Sequence, residues 1–286
     1  MKKIAILISC HNRHAKTLSC LTALFASDPV SNNAIEVIVV DDGSTDGTAQ
    51  LVVERFPIVN IIMGDGNLYW NGGMRMAFTA AMDKGFDYYL WLNDDTLLYP
   101  TAIETLINTS RYFKAKQGKD VIVVGSTRDE RDGQLTYGGV IRPRKLKPTT
   151  FNLIAPRDVP VACDTMNGNC VLLPREVVDS VGNLEEKFAH AMGDLDYGLR
   201  ARSAGFSIWI MPGFAGTCAR NPVTGSFNDA SLPISMRLRK MMHPKGLPLS
   251  SWRVFTQRHA GFFWPVFWIS PYLKVILQGF FKNDKS

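Results

Sequence analysis

The 286-residue chain lacks several features that mark particular structural classes. Its five cysteines are scattered and form no C-x-x-C pair, which argues against a disulfide framework and a structural zinc site and suits a reducing compartment. No strand-like segment is followed by G-x-G-x-x-G, so the dinucleotide-binding fingerprint is missing. The sequence also contains no internal repeat and no low-complexity segment.

Long apolar runs are absent as well. The run at residues 4–8 is too short for a signal-peptide core and predicts a buried first strand. The uncharged run at 260–273 contains two prolines and falls short of the about 20 residues that a membrane-spanning helix needs. With 46% hydrophobic and 20% charged residues, the composition excludes wholesale disorder, a collagen-like fibre and a polytopic membrane protein.

Acidic residues are nearly missing from one part of the chain. From Ser235 to the end there are nine Lys or Arg residues and one acid, whereas residues 1–234 hold 23 basic and 25 acidic residues. The overall net charge of +6 therefore hides a nearly neutral body followed by a basic tail. We expect an anionic partner to meet the tail.

Strand-like and helix-like segments alternate over the first half of the chain. The pattern predicts strands at 3–9, 35–40, 59–63, 88–92 and 121–124, and helices at 15–27, 48–55, 73–84 and 100–114. This alternation is typical of a mostly parallel sheet with helices on both faces, in which ligands bind beyond the carboxyl ends of the strands.

The alternation becomes less regular after Gly125. Residues 128–148 are rich in charge, glycine and proline and predict a hairpin or long loop, and residues 212–233 predict irregular structure. Between these two stretches the sequence predicts strands at 169–174 and 206–211 and helices at 175–181 and 194–204.

Two acidic clusters follow two of the predicted buried strands. Asp41-Asp42-Gly43-Ser44 follows the strand at 35–40, and Asn93-Asp94-Asp95-Thr96 follows the strand at 88–92. Parallel strands end at one sheet edge, so both clusters are expected to meet there. Clustered carboxylates need a compensating cation, and oxygen ligands suit Mg²⁺ or Mn²⁺, which can neutralise a diphosphate. The alternative is that these acids only cap helices and turns.

A third acidic element, Gly193-Asp194-Leu195-Asp196, opens a predicted helix. Acids at a helix N-terminus are stabilised by the helix dipole, which is a sufficient structural explanation. The functional alternative is a general base on a rigid element, placed to deprotonate an attacking hydroxyl.

Six segments in fixed order together carry a resemblance to a known family. They are S-C-H-N-R (9–13), V-V-D-D-G-S-T-D-G-T (39–48), G-N-L-Y-W-N-G-G (66–73), L-W-L-N-D-D-T (90–96), M-N-G-N-C-V-L-L-P-R (166–175) and G-D-L-D-Y-G-L-R-A-R-S-A-G-F (193–206). Over about residues 3–220 the chain resembles a family 2 glycosyltransferase of the GT-A fold. Within that family it is most similar to bacterial enzymes that build surface polysaccharide, including the rhamnosyltransferase-like group.

The resemblance implies a Rossmann-like α/β fold, with a mostly parallel central sheet, and an inverting, metal-dependent sugar transfer. The donor would be a nucleoside-diphosphate sugar, linked to dTDP or UDP, and the acceptor a hydroxyl of a saccharide or polyprenyl-linked molecule. The other interpretation is a non-catalytic sugar-nucleotide-binding scaffold in a glycan synthesis complex. We divide the chain into a GT-A domain at 1–234, with a nucleotide half at 1–125 and an acceptor half at 126–234, and a helical, aromatic-rich extension at 235–286.

The resemblance also implies roles for residues on the donor side. Those implied to contact the nucleotide sugar are Ser9, His11, Arg13, Asp41, Asp42, Trp70, Asn71, Gly72, Asn93 and Asp94. Asp95, at the end of the family's D-x-D element, would hold Mg²⁺ or Mn²⁺ on the diphosphate. Residues 70–73 would form a turn that lets backbone approach the donor, with an ordinary helix start as the alternative.

On the acceptor side, Asp194 matches the second position of the family's usual Glu-Asp pair and would be the catalytic base. Gly193 stands where the family has Glu, and Asp196 is a second candidate for the same role. Asn167, Gly168 and Asn169 would line the junction between sugar and acceptor, although a plain turn explains them equally well.

One departure concerns the metal. Many GT-A enzymes supply a late His after the last core strand, but residues 213–220 contain none. Cys218 is a poor ligand for hard Mg²⁺, so His243 is the candidate third ligand, unless the metal has fewer protein ligands. Arg220 would either meet diphosphate charge or lie on the surface.

The tail combines aromatic residues at 261–281 with the basic residues already noted. This combination predicts an interfacial segment on an anionic membrane, and a cytoplasmic protein peripheral to the inner face of the membrane. The alternatives are a helix packed on the domain or in a homodimer interface. Nucleic acid is not an expected partner, because no recognition motif is present.

Overall fold

The structure is a computed structural model that describes residues 2–27, 34–143 and 146–283. The strands are β1 (Lys3–Cys10), β2 (Ala34–Asp41), β3 (Asn60–Met63), β4 (Tyr88–Leu92), β5 (Leu97–Leu98), β6 (Ile122–Arg128), β7 (Leu135–Tyr137), β8 (Gly139–Ile141), β9 (Asn152–Leu153), β10 (Val161–Cys163), β11 (Thr165–Met166), β12 (Cys170–Pro174) and β13 (Ile208–Thr217). The helices are α1 (His14–Phe25), α2 (Thr48–Arg55), α3 (Tyr69–Met82), α4 (Ala102–Gln117), α5 (Arg175–Val181), α6 (Gly193–Ser203), α7 (Ile234–Met242), α8 (Leu249–His259) and α9 (Trp264–Asn283).

The main sheet has the strand order β10-β13-β6-β12-β4-β1-β2-β3. β1 pairs in parallel with β2 and β4, β2 with β3, and β6 with β13. β12 lies antiparallel between β4 and β6, so the strands on either side of it point in one direction. The predicted α/β fold with a mostly parallel central sheet is confirmed. Because β12 belongs to the second half of the chain, both halves contribute to one sheet.

Alternate residues of each central strand fill two separate cores. In β1, Ile4, Ile6 and Ile8 belong to the core on one face, and Ala5 and Leu7 to the core on the other. Side chains of a strand point alternately to its two faces, so a run that is apolar throughout is buried on both sides.

The structure differs from the sequence prediction at two places that border the cavity described below. Helix α3 begins at Tyr69, so residues 70–73 form the first turn of a helix and not a separate turn. Strand β13 continues to Thr217, through a stretch predicted to be irregular. It does so by shifting register between Ile210 and Phe214, where Gly213 has a φ of +66°. Such a bulge lets a strand pass a proline and a glycine without ending.

The C-terminal extension is helical and packs against the body. A third apolar cluster joins Phe188, Met192 and Leu199 of the body to Met241, Trp252, Phe255, Tyr272 and Val275 of helices α7 to α9. Across the described residues, no helix is both long enough and apolar enough to cross a bilayer.

Candidate active site

A cavity of about 680 Å³ opens at the carboxyl ends of β1 and β4. Its lining includes thirteen residues singled out from the sequence: Ser9, His11, Arg13, Asp42, Trp70, Asn93, Asp94, Asp95, Asn167, Gly168, Asn169, Asp194 and His243. The acidic clusters after β2 and β4 therefore meet at one sheet edge, as expected from parallel strands. Four other predicted residues, Asp41, Asn71, Gly72 and Asp196, are not part of the lining.

The carboxylates of Asp94 and Asp95 are held together by a guanidinium group. Arg13 Nη1 donates to Asp94 Oδ1 at 2.9 Å, and Arg13 Nη2 donates to Asp95 Oδ2. Lys16 Nζ lies 3.6 Å from Asp95 Oδ2, and the Cys218 thiol donates to Asp95 Oδ1 at 3.5 Å. Burial raises the pKa of Asp94 to about 7 despite the opposing charge of Arg13. Two cations thus compensate the repulsion that the sequence pattern implied.

The carboxylates of Asp94 and Asp95 are suited to a divalent metal ion that takes only one or two ligands from the protein. Mg²⁺ is commonly held by one or two carboxylates together with substrate phosphates and waters, and Asp95 faces the cavity with such oxygens. No group of three or more His, Cys, Asp or Glu side chains suited to a metal ion occurs among the residues described. His243 is therefore not supported as a third ligand, and its ring lies instead 5.9 Å from that of Tyr69.

Asp41 and Asp42, the two acids that end β2, have different surroundings. Asp42 accepts hydrogen bonds from the backbone N–H groups of Gly66 at 2.8 Å and Tyr69 at 2.9 Å, and so fixes the loop that leads into α3. Asp41 Oδ1 accepts from the N–H of Ser44 at 2.9 Å, but its buried Oδ2 has no hydrogen-bond partner among the residues that the structure describes. An unpaired buried carboxylate oxygen is costly unless a ligand donates to it.

Asp194 also lines the cavity, at the start of α6. Its Oδ2 accepts a hydrogen bond from the N–H of Gly168 at 2.9 Å, and its Oδ1 accepts from the N–H of Leu195 at 2.8 Å. Burial outweighs these bonds and raises the pKa of the carboxyl above its ordinary value. A side chain at Gly168 would overlap the Trp70 indole, so this glycine allows the backbone to approach both Trp70 and Asp194.

The Trp70 indole also reaches the strand end that carries the carboxylate pair. Its Nε1 donates to Asn93 Oδ1 at 2.7 Å, while the N–H of Asn93 donates to the carbonyl of Asn169 at 3.0 Å. Trp70 and Asn93 thus connect the donor-side strand end with the segment around Gly168. The Asn93 side chain, which the resemblance implies to contact the nucleotide sugar, is thus engaged by Trp70.

Asp196 is not available as a base, which corrects its assignment as a second catalytic candidate. Its side chain is fully buried, with bonds from Arg200 Nε at 2.8 Å, Arg258 Nη1 at 2.7 Å and His259 Nε2 at 2.8 Å. Burial alone would raise the pKa of Asp196, but the bonds from these three donors lower it. Asp196 anchors helix α8 of the extension to the helix that carries Asp194.

We expect Asp196→Asn to lower the free energy of unfolding by roughly 3 kcal/mol, because it leaves Arg200 without its counter-charge and Arg258 with Glu185 alone. Urea unfolding followed by circular dichroism measures this loss. Glu186→Gln is the matched control, since its ion pair with Arg75 is exposed and contributes at most about 1 kcal/mol. Unchanged stability combined with lost activity would instead return Asp196 to the catalytic machinery.

Asn71 lies outside the cavity lining and binds the backbone of the segment before α6. Its Nδ2 donates to the carbonyls of Glu185 at 2.9 Å and Phe188 at 2.6 Å. A side chain at Gly193 would overlap Asn71 Oδ1, which explains in physical terms why glycine stands there and not the Glu of the resembled family. Gly72 lies beside Leu68 within the first turn of α3.

The C-terminal extension contributes residues that the sequence does not single out. Lys245 enters the cavity together with His243, and both face His190. Burial, followed by the charges of Lys245 and His243, lowers the pKa of His190 to about 4, so its ring is neutral at physiological pH. The composition of the extension suggests a separate unit, and no motif marks Lys245 or His190.

Comparisons with known proteins agree with this geometry. The family model described as "Glycosyl transferase family 2" matches residues 5–181. The chain is 28% identical over 198 residues to an N-acetylglucosaminyl-diphospho-decaprenol L-rhamnosyltransferase of Mycobacterium tuberculosis, covering 62% of this chain and 64% of that protein. It is 29% identical over 160 residues to an uncharacterized glycosyltransferase of Rickettsia felis, covering 53% of this chain and 24% of that protein. The chain thus spans less than two thirds of the length of these curated relatives.

Two solved structures share the fold. TarS 1–349 of S. aureus superposes with a TM-score of 0.53 at 14% identity, covering 90% of this chain and 70% of that one. The mannosyltransferase PcManGT of Pyrobaculum calidifontis, in complex with GDP-Man and Mn²⁺, superposes with a TM-score of 0.52 at 16% identity, covering 96% of this chain and 68% of that one. At these identities the likeness shows the fold alone, and that fold is GT-A.

Proposed function

Since the chain belongs to glycosyl transferase family 2, we propose that it transfers a sugar from a nucleoside-diphosphate sugar to a hydroxyl of a saccharide or lipid-linked acceptor in bacterial surface-polysaccharide synthesis. One observation carries the proposal: the lining of a single cavity contains both the carboxylate pair Asp94–Asp95 and the carboxylate of Asp194. The name of the mycobacterial relative favours rhamnose as the sugar and a polyprenyl-diphosphate saccharide as the acceptor.

The donor would bind along the edge formed by β1, β2 and β4. Asp41 Oδ2, which has no partner among the described residues, is suited to the ring N–H of a nucleotide base, although Asp41 lies outside the cavity lining. The resemblance to the rhamnosyltransferase-like group favours a UDP- or dTDP-linked sugar. A Mg²⁺ or Mn²⁺ ion on Asp95 would neutralise the negative charge that develops on the leaving diphosphate. Arg13, already within reach of both carboxylates, would add a guanidinium to that end of the cavity.

Asp194 would act as the base of an inverting displacement. The N–H groups of Gly168 and Leu195 orient its carboxylate, and the raised pKa makes it a stronger base than a solvated aspartate. Asp194 takes the proton of the acceptor hydroxyl, whose oxygen forms a bond to the anomeric carbon. The bond from that carbon to the diphosphate oxygen breaks, and the nucleoside diphosphate leaves on the opposite face.

Lys245 is suited to the phosphate charge of a diphosphate-linked acceptor. Its ammonium group has no ion-pair partner within the described part of the chain, and it lines the same cavity as Asp194 and acts on the charge state of His190. An unpaired cation in a cavity favours an anionic ligand. This assignment depends on the proposed acceptor class.

We expect Lys245→Gln to raise the KM for a diphosphate-linked acceptor about tenfold, the loss of one charge-assisted hydrogen bond, with little change in donor affinity. Steady-state kinetics with the acceptor varied, alongside calorimetry with the donor, measure both. Arg239→Gln is the control, because Arg239 is an exposed residue of α7 outside the cavity lining. A weaker donor affinity with unchanged acceptor KM would assign Lys245 to the donor diphosphate instead.

Thermal-shift measurements with UDP-, dTDP- and GDP-sugars, each with and without Mg²⁺ or Mn²⁺, test the proposed function. We expect one nucleotide class to raise the melting temperature, and to do so more strongly with metal, because ligand binding stabilises the folded state. If no nucleotide sugar changes the melting temperature, the proposal fails.

The second candidate is a sugar-nucleotide-binding scaffold without catalysis. It is favoured by one observation, the pairing of Arg13 and Lys16 with the carboxylates that would hold the metal. A donor that binds but releases no nucleoside diphosphate with any acceptor tested would support this function over transfer.

A further inference from the structure

Helix α9 and the residues just before it carry an exposed apolar stripe. Phe262 and Phe263 are 91% and 66% exposed, and Val266, Ile269, Leu273 and Leu277 are each between 40% and 59% exposed. Residues spaced by three or four positions lie on one face of a helix, so these side chains form a continuous surface. An exposed apolar surface of this kind is typical of an interaction site.

The orientation of the stripe is fixed by the opposite side of the helix. Trp252 Nε1 donates to the carbonyl of Phe267 at 3.2 Å, and the Tyr272 hydroxyl donates to the carbonyl of Leu247 at 2.7 Å. Tyr272 and Val275 on the same side are buried in the cluster that joins the extension to the body. The stripe therefore faces outward because the other face of α9 is already packed.

The charge around the stripe has one sign. Residues 235–283 contain eight Lys or Arg residues and no Asp or Glu. Within this stretch of the described chain, the ion pairs with acidic side chains are those of Arg258 with Asp196 and Glu185 and that of His259 with Asp196. Arg253 and Lys274 are exposed on α8 and α9, and the Arg253 guanidinium lies over the Trp264 ring. The surroundings of the stripe are thus complementary to an anionic surface.

We propose that this stripe docks on an anionic lipid bilayer, with α9 lying in the plane of the headgroups. A second copy of the same face would bring like charges together, whereas anionic headgroups neutralise them. Pro271 and Lys274 lie within the helix, which suits a helix that lies on a membrane and does not cross it. This inference goes beyond the proposed function and does not depend on it.

The C-terminal extension connects the stripe to the cavity. The extension that carries the stripe supplies His243 and Lys245 to the cavity, and its Arg258 and His259 bind Asp196 on helix α6, which carries Asp194. The membrane-facing helix and the site are therefore parts of one packed unit.

Flotation of the full-length protein with vesicles tests the proposal. We expect binding to vesicles of phosphatidylglycerol and phosphatidylethanolamine, and much weaker binding to phosphatidylcholine alone or at high salt. The triple variant Phe262→Ser, Phe263→Ser, Val266→Ser should lower the partition coefficient by about tenfold or more, since it removes three exposed apolar side chains. Its melting temperature should stay unchanged, because these residues are exposed.

The matched control is the triple variant Ile58→Ser, Leu146→Ser, Val159→Ser, which removes side chains that are 71%, 87% and 61% exposed elsewhere on the surface. It should float like the unaltered protein. Equal flotation of both triple variants, or no flotation of the unaltered protein, would overturn the proposal. A dimer in light scattering that becomes a monomer in the stripe variant, with flotation unchanged, would overturn it in favour of a second copy. Failure of the proposed function would instead appear as absent transfer with flotation intact.

Discussion

Replacing Asp194 with Asn is expected to lower the rate of sugar transfer by about 10³-fold or more, with the donor dissociation constant nearly unchanged. The amide keeps the shape of the carboxylate and can still accept a hydrogen bond from the N–H of Gly168 or Leu195. It cannot take a proton from the acceptor hydroxyl. The loss should therefore fall on kcat and not on binding.

The rate should also report the raised pKa of Asp194. A general base acts only when deprotonated, so transfer should fall as the pH drops through the pKa of this carboxyl. Because burial raises that pKa, the loss should begin at a higher pH than for a solvated aspartate. A pH profile of kcat measures this fall in rate at low pH.

Glu186→Gln is a suitable control for Asp194→Asn, because it removes a carboxylate from an exposed ion pair. It should leave both the rate and its pH profile unchanged. Near-normal turnover of Asp194→Asn, in protein that melts at the unaltered temperature, would show that another group takes the proton.

The second large effect is expected at Asp95. Asp95→Asn should weaken donor binding in the presence of Mg²⁺ or Mn²⁺ by about 10²-fold, because the metal would lose its carboxylate ligand and the diphosphate its compensating charge. Calorimetry with the donor, with and without metal, measures this difference. In the unaltered protein, chelation of the metal should weaken binding by a similar factor.

The effects of Asp95→Asn and of metal chelation on donor affinity should not add. Once Asp95 is replaced, chelation should have little further effect on donor affinity, because both act on one interaction. Glu104→Gln, on the exposed side of α4, is the control and should keep full metal dependence. Metal-independent donor binding in the unaltered protein would show that Arg13 and Lys16 alone compensate the diphosphate, and Asp95 would lose its metal role.

The bounds of several helices and strands were predictable, because the pattern of apolar residues that indicates each of them is local in the sequence. Thr48–Arg55, Tyr88–Leu92 and Arg175–Val181 have the predicted bounds, since the apolar pattern of each segment is contained in its own residues. The meeting of the two acidic clusters was also predictable from the sequence, because it requires only that parallel strands of one sheet end at the same edge. The antiparallel insertion of β12 between β4 and β6 did not follow, since strand order depends on contacts distant in sequence.

The candidate site was predictable only in part, for a similar reason. Asp194 and Asp196 lie two positions apart at the start of one helix, and the sequence pattern favours Asp194 but leaves Asp196 as a second candidate. The distinction comes from Arg258 and His259, which approach from another helix about sixty residues along the chain and enclose Asp196. Lys245 was missed because it belongs to a tail whose composition suggested a separate role, whereas its loop folds back over the cavity.

The anomeric configuration of the transferred sugar tests the central claim most directly. The unaltered protein is incubated with the nucleotide sugar that raises its melting temperature and with a polyprenyl-diphosphate saccharide acceptor, and the new linkage is examined by NMR. If Asp194 is the base and the acceptor hydroxyl displaces the diphosphate directly, the new linkage has the anomeric configuration opposite to that of the donor sugar. A retained configuration, or release of no nucleoside diphosphate from a donor that binds, would contradict the account.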